Sequence, residues 1–185
     1  MNVKKDGKNL LITDINNFDI SLSLDCGQSF RWEKTEDGCW SGIVKGKYLK
    51  LKQEGTTVTL FDTTEDDYAS LWEEYFDLKR DYAALIKSYD DEYLVRACTQ
   101  FPGIRVLKQD EWEAVCSFII SANNNIPRIK GIIKRLCENF GEDTGDGFSF
   151  PAPEKLSSLT PEDLAPIRSG FRAKYIIDAA RKISS

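Results

Sequence analysis

A chain of 185 residues can bury a core without help from disulfides or metals. Its 41% hydrophobic and 30% charged content excludes disorder as the dominant state. No His is present, which removes Ser-His-Asp and Cys-His catalysis and His-ligated zinc, and the net charge of −5 looks unfavourable for a nucleic-acid binder. Five cysteines, odd in number and never in a C-x-x-C pair, fit neither a disulfide framework nor a zinc site. No cofactor or metal is expected. Neither a membrane span nor a charged-then-apolar leader is evident, so the expectation is a monomer in a reducing cytosol, with no membrane partner.

The first ~60 residues read as short strands, from their period-two alternation and regular glycine punctuation. The segments are Leu10–Ile12, Ile20–Leu24, Trp40–Val44, Tyr48–Leu51 and Val58–Phe61. Gly46-Lys47 and Gly55-Thr56 sit where tight turns need positive φ. From Thr63-Thr64-Glu65-Asp66-Asp67 onward the period changes, with a Thr followed by acids marking a helix start. Helical patterns are predicted at 65–76, 79–88, 91–100, 110–122, 126–140, 161–169 and 172–183. In 126–140, Ile126, Ile129, Ile132, Ile133, Leu136, Cys137 and Phe140 share one face, with Arg128 and Arg135 opposite. Gly141 is expected to stop that helix, and 141–153 to be a loop. Cys116 and Cys137 read as packing residues.

Charge is unevenly distributed. Residues 1–100 hold 13 Lys+Arg against 19 Asp+Glu, and residues 101–185 hold 12 against 11. Arg128, Lys130, Lys134 and Arg135 form one acid-free group; Arg168, Arg172, Lys174, Arg181 and Lys182 form another, opposed only by Asp178. Two solvated helix faces or a polyanion surface would both produce this pattern.

Three segments could carry chemistry. Cys26-Gly27-Gln28-Ser29-Phe30-Arg31-Trp32 is a turn feeding a strand, either purely structural or a place where a ligand approaches bare backbone. In Ser121-Ala122-Asn123-Asn124-Asn125-Ile126-Pro127-Arg128, Asn125 with Pro127 suits a helix cap. Three amides are more than a cap requires, and an amide presents the donor and acceptor needed to read a base edge. In Gly170-Phe171-Arg172-Ala173-Lys174-Tyr175, an aromatic between a glycine and cations at a helix start can close a core or wedge into a base stack.

Together, Gly27-Gln28-Ser29-Phe30-Arg31-Trp32, Asn123-Asn124-Asn125-Ile126 with Arg128, and Gly170-Phe171-Arg172-Ala173 resemble three hallmark segments of the 8-oxoguanine DNA glycosylase/AP lyase family, in order. That family belongs to the helix-hairpin-helix superfamily. The resemblance implies an α+β fold: an N-terminal antiparallel sheet with flanking helices, like half a TATA-binding protein, over residues 1–108. An incomplete α-helical domain, lacking the helix-hairpin-helix, would follow over 109–185. It implies base-excision repair of 8-oxoguanine opposite cytosine in double-stranded DNA, with strand cleavage in the complete protein. By the same resemblance Gly27 recognises the damaged base, while Asn123, Asn124, Arg128, Phe171 and Arg172 bind DNA and the estranged cytosine. No catalytic residue is expected here, because the family's hairpin Lys and later Asp have no counterpart before Ser185. A non-catalytic duplex-DNA-binding module is the alternative.

Overall fold

The computed structural model describes residues 1–184, so the last residue of the expected second domain, Ser185, lies outside the described residues. The chain divides into two compact units. One comprises Met1–Gln28, Trp32–Ser41 and Leu49–Lys108; the other comprises Ser29–Arg31, Gly42–Tyr48 and Gln109–Ser185. The architecture is α+β.

Six strands form one antiparallel sheet: β1 (Asn2–Asp6), β2 (Asn9–Thr13), β3 (Trp32–Lys34), β4 (Trp40–Val44), β5 (Lys47–Glu54) and β6 (Thr57–Phe61), ordered β1-β2-β6-β5-β4-β3. Leu10 pairs with Leu60 and Ile12 with Val58 across β2 and β6, and Leu51 pairs with Leu60 across β5 and β6. Alternation puts Leu10, Ile12, Leu49, Leu51, Val58 and Leu60 on the buried face, each at most 1% exposed.

The strand expected at Ile20–Leu24 is instead a one-turn helix, α1, capped by the Asp19 carboxylate accepting from Leu22 N at 2.8 Å. Ile-Ser-Leu-Ser-Leu has strand periodicity, but at five residues a single cap outweighs it. Beyond the sheet, α2 (Glu65–Asp67), a π-helical turn (Tyr68–Trp72) and α3 (Glu73–Tyr75) run on continuously. Their Trp72, Tyr75 and Phe76 cluster with Trp32, whose indole N–H donates to Tyr75 Oη at 2.8 Å. Two short helices, α4 (Tyr82–Lys87) and α5 (Glu92–Gln100), complete this unit.

The second unit is helical: α6 (Glu111–Ser121), α7 (Ile126–Phe140), α8 (Pro153–Ser157) and α9 (Arg172–Ile183), with a 3-10 turn at Ala165–Ile167. Its core is aliphatic, built on Ile120, Ile132, Leu136, Leu156, Ile167 and Ile176, all fully buried. Cys116 and Cys137 are buried within it. Loss of hydration pushes the Cys137 thiol up to about 12 and raises that of Cys116 as well.

One expectation changes here and another gains its cause. The helix predicted at 161–169 is only the 3-10 turn, because Pro166 has no N–H to donate to Glu162 O and its ring crowds that carbonyl. Gly141 ends α7 as expected, with φ −75°, outside the left-handed region. A Cβ there would lie 2.1 Å from Ser149 O, so close backbone approach, not conformation, demands the glycine. Among the described residues no helix is long and apolar enough to cross a membrane.

Candidate functional site

Gly27 sits at the end of the loop that follows α1, with φ +85° and no atom within 4 Å of where a Cβ would stand. Left-handed backbone favours glycine, and the open space leaves the main chain approachable. Among the described residues nothing donates a hydrogen bond to its carbonyl.

The neighbouring groups are, by contrast, held in hydrogen bonds to backbone. The Gln28 amide donates to Ser23 O at 2.9 Å and Arg105 O at 2.8 Å, and its oxygen accepts from Leu107 N at 3.0 Å. Ser23 Oγ donates to Gly103 O at 3.2 Å and accepts from Arg105 N at 3.1 Å. Arg105 is buried, donating to Asp77 O at 2.7 Å and Asn16 O at 3.0 Å, with its guanidinium 4.5 Å from the Tyr82 ring centroid. Desolvation lowers its pKa from the ordinary arginine value.

In the helical unit, the three asparagines take three distinct roles between α6 and α7. Asn123 adopts φ +49°, a conformation asparagine tolerates better than most residues. Asn124 Nδ2 donates to Ile120 O at 3.0 Å and its oxygen accepts from Asn125 N at 3.0 Å, closing the end of α6. Asn125 Oδ1 accepts from Arg128 N at 3.0 Å as the cap of α7, with Pro127 in the first turn. The side chains of Asn123 and Arg128 are exposed and make no hydrogen bond among the described residues.

Arg172 joins this loop to the start of α9. Although expected to face DNA, it is 4% exposed, and its Nη2 donates to Ala122 O at 2.5 Å and Asn123 O at 3.0 Å. Its guanidinium lies 4.6 Å from the Phe171 ring centroid, while its Nε is buried with no partner among the described residues. Phe171 itself is 62% exposed and meets Tyr175 edge-on at 6.3 Å. The fold thus brings Asn123, Arg128, Phe171 and Arg172 to one end of the helical unit, while Gly27 lies in the sheet unit.

Several expected outward cations are structural staples. Arg135 donates to Ile167 O at 3.0 Å, and Arg181 to Ser157 O at 3.1 Å and Leu159 O at 3.0 Å. Lys182 pairs with Asp178 at 2.7 Å. Arg31, four residues beyond Gly27, meets Glu113 of α6 at 3.3 Å and donates to Phe148 O. Burial pushes the Glu113 carboxyl above its usual value, against the pull of Arg31.

Phe118 escaped the sequence reading. It is 78% exposed on α6, three residues before Ser121, whereas Trp112, Cys116 and Ile120 are buried at four-residue spacing. A helical projection puts Phe118 well off that stripe, and this would have revealed it.

The chain is similar to several known proteins. An N-glycosylase/DNA lyase of Saccharomyces cerevisiae is 49% identical over 87 residues, covering 44% of this chain and 23% of that protein. An N-glycosylase/DNA lyase of Arabidopsis thaliana is 28% identical over 181 residues, covering 85% of this chain and 46% of its own. The Clostridium acetobutylicum 8-oxoguanine glycosylase/lyase, solved with dsDNA containing cytosine opposite 8-oxoG, superposes with a TM-score of 0.90 at 35% identity, covering 100% of this chain and 65% of that one. The chain therefore spans less than two thirds of each of these relatives. The 8-oxoguanine DNA glycosylase N-terminal domain matches residues 10–115, and the HhH-GPD superfamily of base excision DNA repair proteins matches 116–184. With more than half its length inside the first of these, the chain belongs to the 8-oxoguanine DNA glycosylase family.

Proposed function

We propose that this chain carries the lesion- and cytosine-recognition elements of a base-excision repair enzyme that removes 8-oxoguanine opposite cytosine. In the complete protein, glycosidic cleavage would be accompanied by lyase strand cleavage. The reading rests above all on one observation. The Arg172 guanidinium gathers the Asn loop and Phe171 at one edge while the side chains of Asn123, Arg128 and Phe171 stay exposed.

The chemistry follows from what is free. Oxidation at C8 turns the N7 of guanine from an acceptor into an N–H donor, and the unengaged Gly27 carbonyl is an acceptor for it. Undamaged guanine would set a lone pair against that oxygen. One net hydrogen bond contributes about 1 kcal/mol, and an unsatisfied buried pair costs about 1–3 kcal/mol, so one backbone atom can discriminate. Extruding the base from its stack costs a few kcal/mol, which the binding surface must offset. Phe171 is suited to fill the gap. The Asn123 amide and Arg128 guanidinium match the N4 donor and the N3 and O2 acceptors of cytosine. Arg172 contributes by fixing the loop backbone, and Asn124 by shaping it. No lysine here is assigned as nucleophile.

Fluorescence anisotropy with labelled duplexes tests the proposal. An 8-oxoguanine:cytosine duplex should bind more tightly than guanine:cytosine or 8-oxoguanine:adenine duplexes, and all should weaken with added salt. Equal affinity for the three would refute it.

A further inference from the structure

Resting on the reading of Gly27 as the lesion-sensing residue, we infer that Gln28 is its positioning residue, setting the direction of the Gly27 carbonyl without touching the base. A lone oxygen discriminates N–H from a lone pair only if it cannot swing aside. Left-handed glycine is the least restrained residue in a chain, so something else must hold this one.

Gln28 has the geometry to do so. Its Nε2 reaches back to Ser23 O at 2.9 Å, closing the loop of residues 24–27 by a side-chain bond to the carbonyl five residues earlier. The Cys26 thiol donates weakly to the same carbonyl at 3.5 Å. The amide also bonds Arg105 O at 2.8 Å and Leu107 N at 3.0 Å, so both of its faces are used.

That second attachment is a rigid post. Arg105 is fixed through three backbone carbonyls, those of Asp77, Arg80 and Asn16, and packs against the rings of Tyr82 and Phe18. Gly103, two residues earlier, accepts from Asp19 N at 2.8 Å, and a Cβ there would lie 2.7 Å from that nitrogen. The loop carrying Gly27 is thus strung between the end of α1 and a segment with almost no freedom. A simple turn would need none of the long-range bonds.

Two substitutions separate this role from general stability. Gln28→Met keeps length and bulk but makes none of the three hydrogen bonds. Gln28→Glu keeps an acceptor for Leu107 N but sets a carboxylate against the carbonyls of Ser23 and Arg105. Both should reduce affinity for the 8-oxoguanine:cytosine duplex by about five- to ten-fold, the equivalent of one hydrogen bond, with guanine:cytosine affinity unchanged. Backbone order parameters at Cys26 and Gly27 should fall in both, without DNA present.

Retention of the lesion preference by either folded variant would overturn the inference. A parallel loss for both duplexes would overturn it too, by making Gln28 merely structural. The unsubstituted chain separates the two levels: absence of lesion preference there sinks the functional reading and this inference together. Preference there but no change in the variants sinks the inference alone.

Discussion

The loop from Ser23 to Gln28 and the loop from Ala122 to Asn125 use polar groups in opposite ways. In the first, side chains turn inward onto backbone carbonyls, and what remains free is a main-chain oxygen. In the second, a buried arginine from another helix holds the backbone, and what remains free are the Asn123 and Arg128 side chains. On the proposed function, the difference follows from what each loop would sense. One proton on a purine would be read by an immobile acceptor. A whole base edge is read by several groups with reach, for which side chains on a fixed backbone are better suited.

Substitutions can break this contrast, beginning with an engaged group. Arg31→Leu would strand the buried Glu113 carboxyl and leave Phe148 O without its donor. A loss of about 3–5 kcal/mol of stability is expected, read as a lower denaturant midpoint. The same measurement on a free group should show almost nothing. Arg128→Ala should leave stability within about 0.5 kcal/mol while relaxing preference for cytosine opposite the lesion by about 1–3 kcal/mol. Equal losses against all four opposite bases would instead assign Arg128 to phosphate. Between these lies Asn125, engaged but at the surface. Asn125→Ala removes the cap of α7 and should lower stability by about 1 kcal/mol, seen as a shift in the thermal midpoint.

Much of this was legible in the residues. The sheet hairpins, α7 and α9 follow from alternation, glycine spacing and a helical stripe, and α7 occupies 126–140 as its pattern required. Ile20–Leu24 was misread because its alternation suits a strand and its cap acts only three residues away. The short helix α8 hid in a stretch rich in Pro and Ser, where no period has room to develop. The three candidate segments were visible as motifs. Neither the inward turn of Arg135, Arg172 and Arg181 nor the work of Gln28 was. A helical projection fixes where a side chain starts, not where a long guanidinium ends, and the partners of Gln28 lie 5, 77 and 79 residues away.

The arginines that fasten carbonyls have a consequence for kinetics. Arg135, Arg172 and Arg181 still contribute to the long-range field that a polyanion would meet. Their donors, however, are occupied. Among the described residues of the two basic groups, Arg128, Lys134, Arg168 and Lys174 have exposed side chains that donate no hydrogen bond. On the proposed function, encounter and residence would be governed by different sets of cations, the fastened arginines acting at a distance and the free side chains at contact.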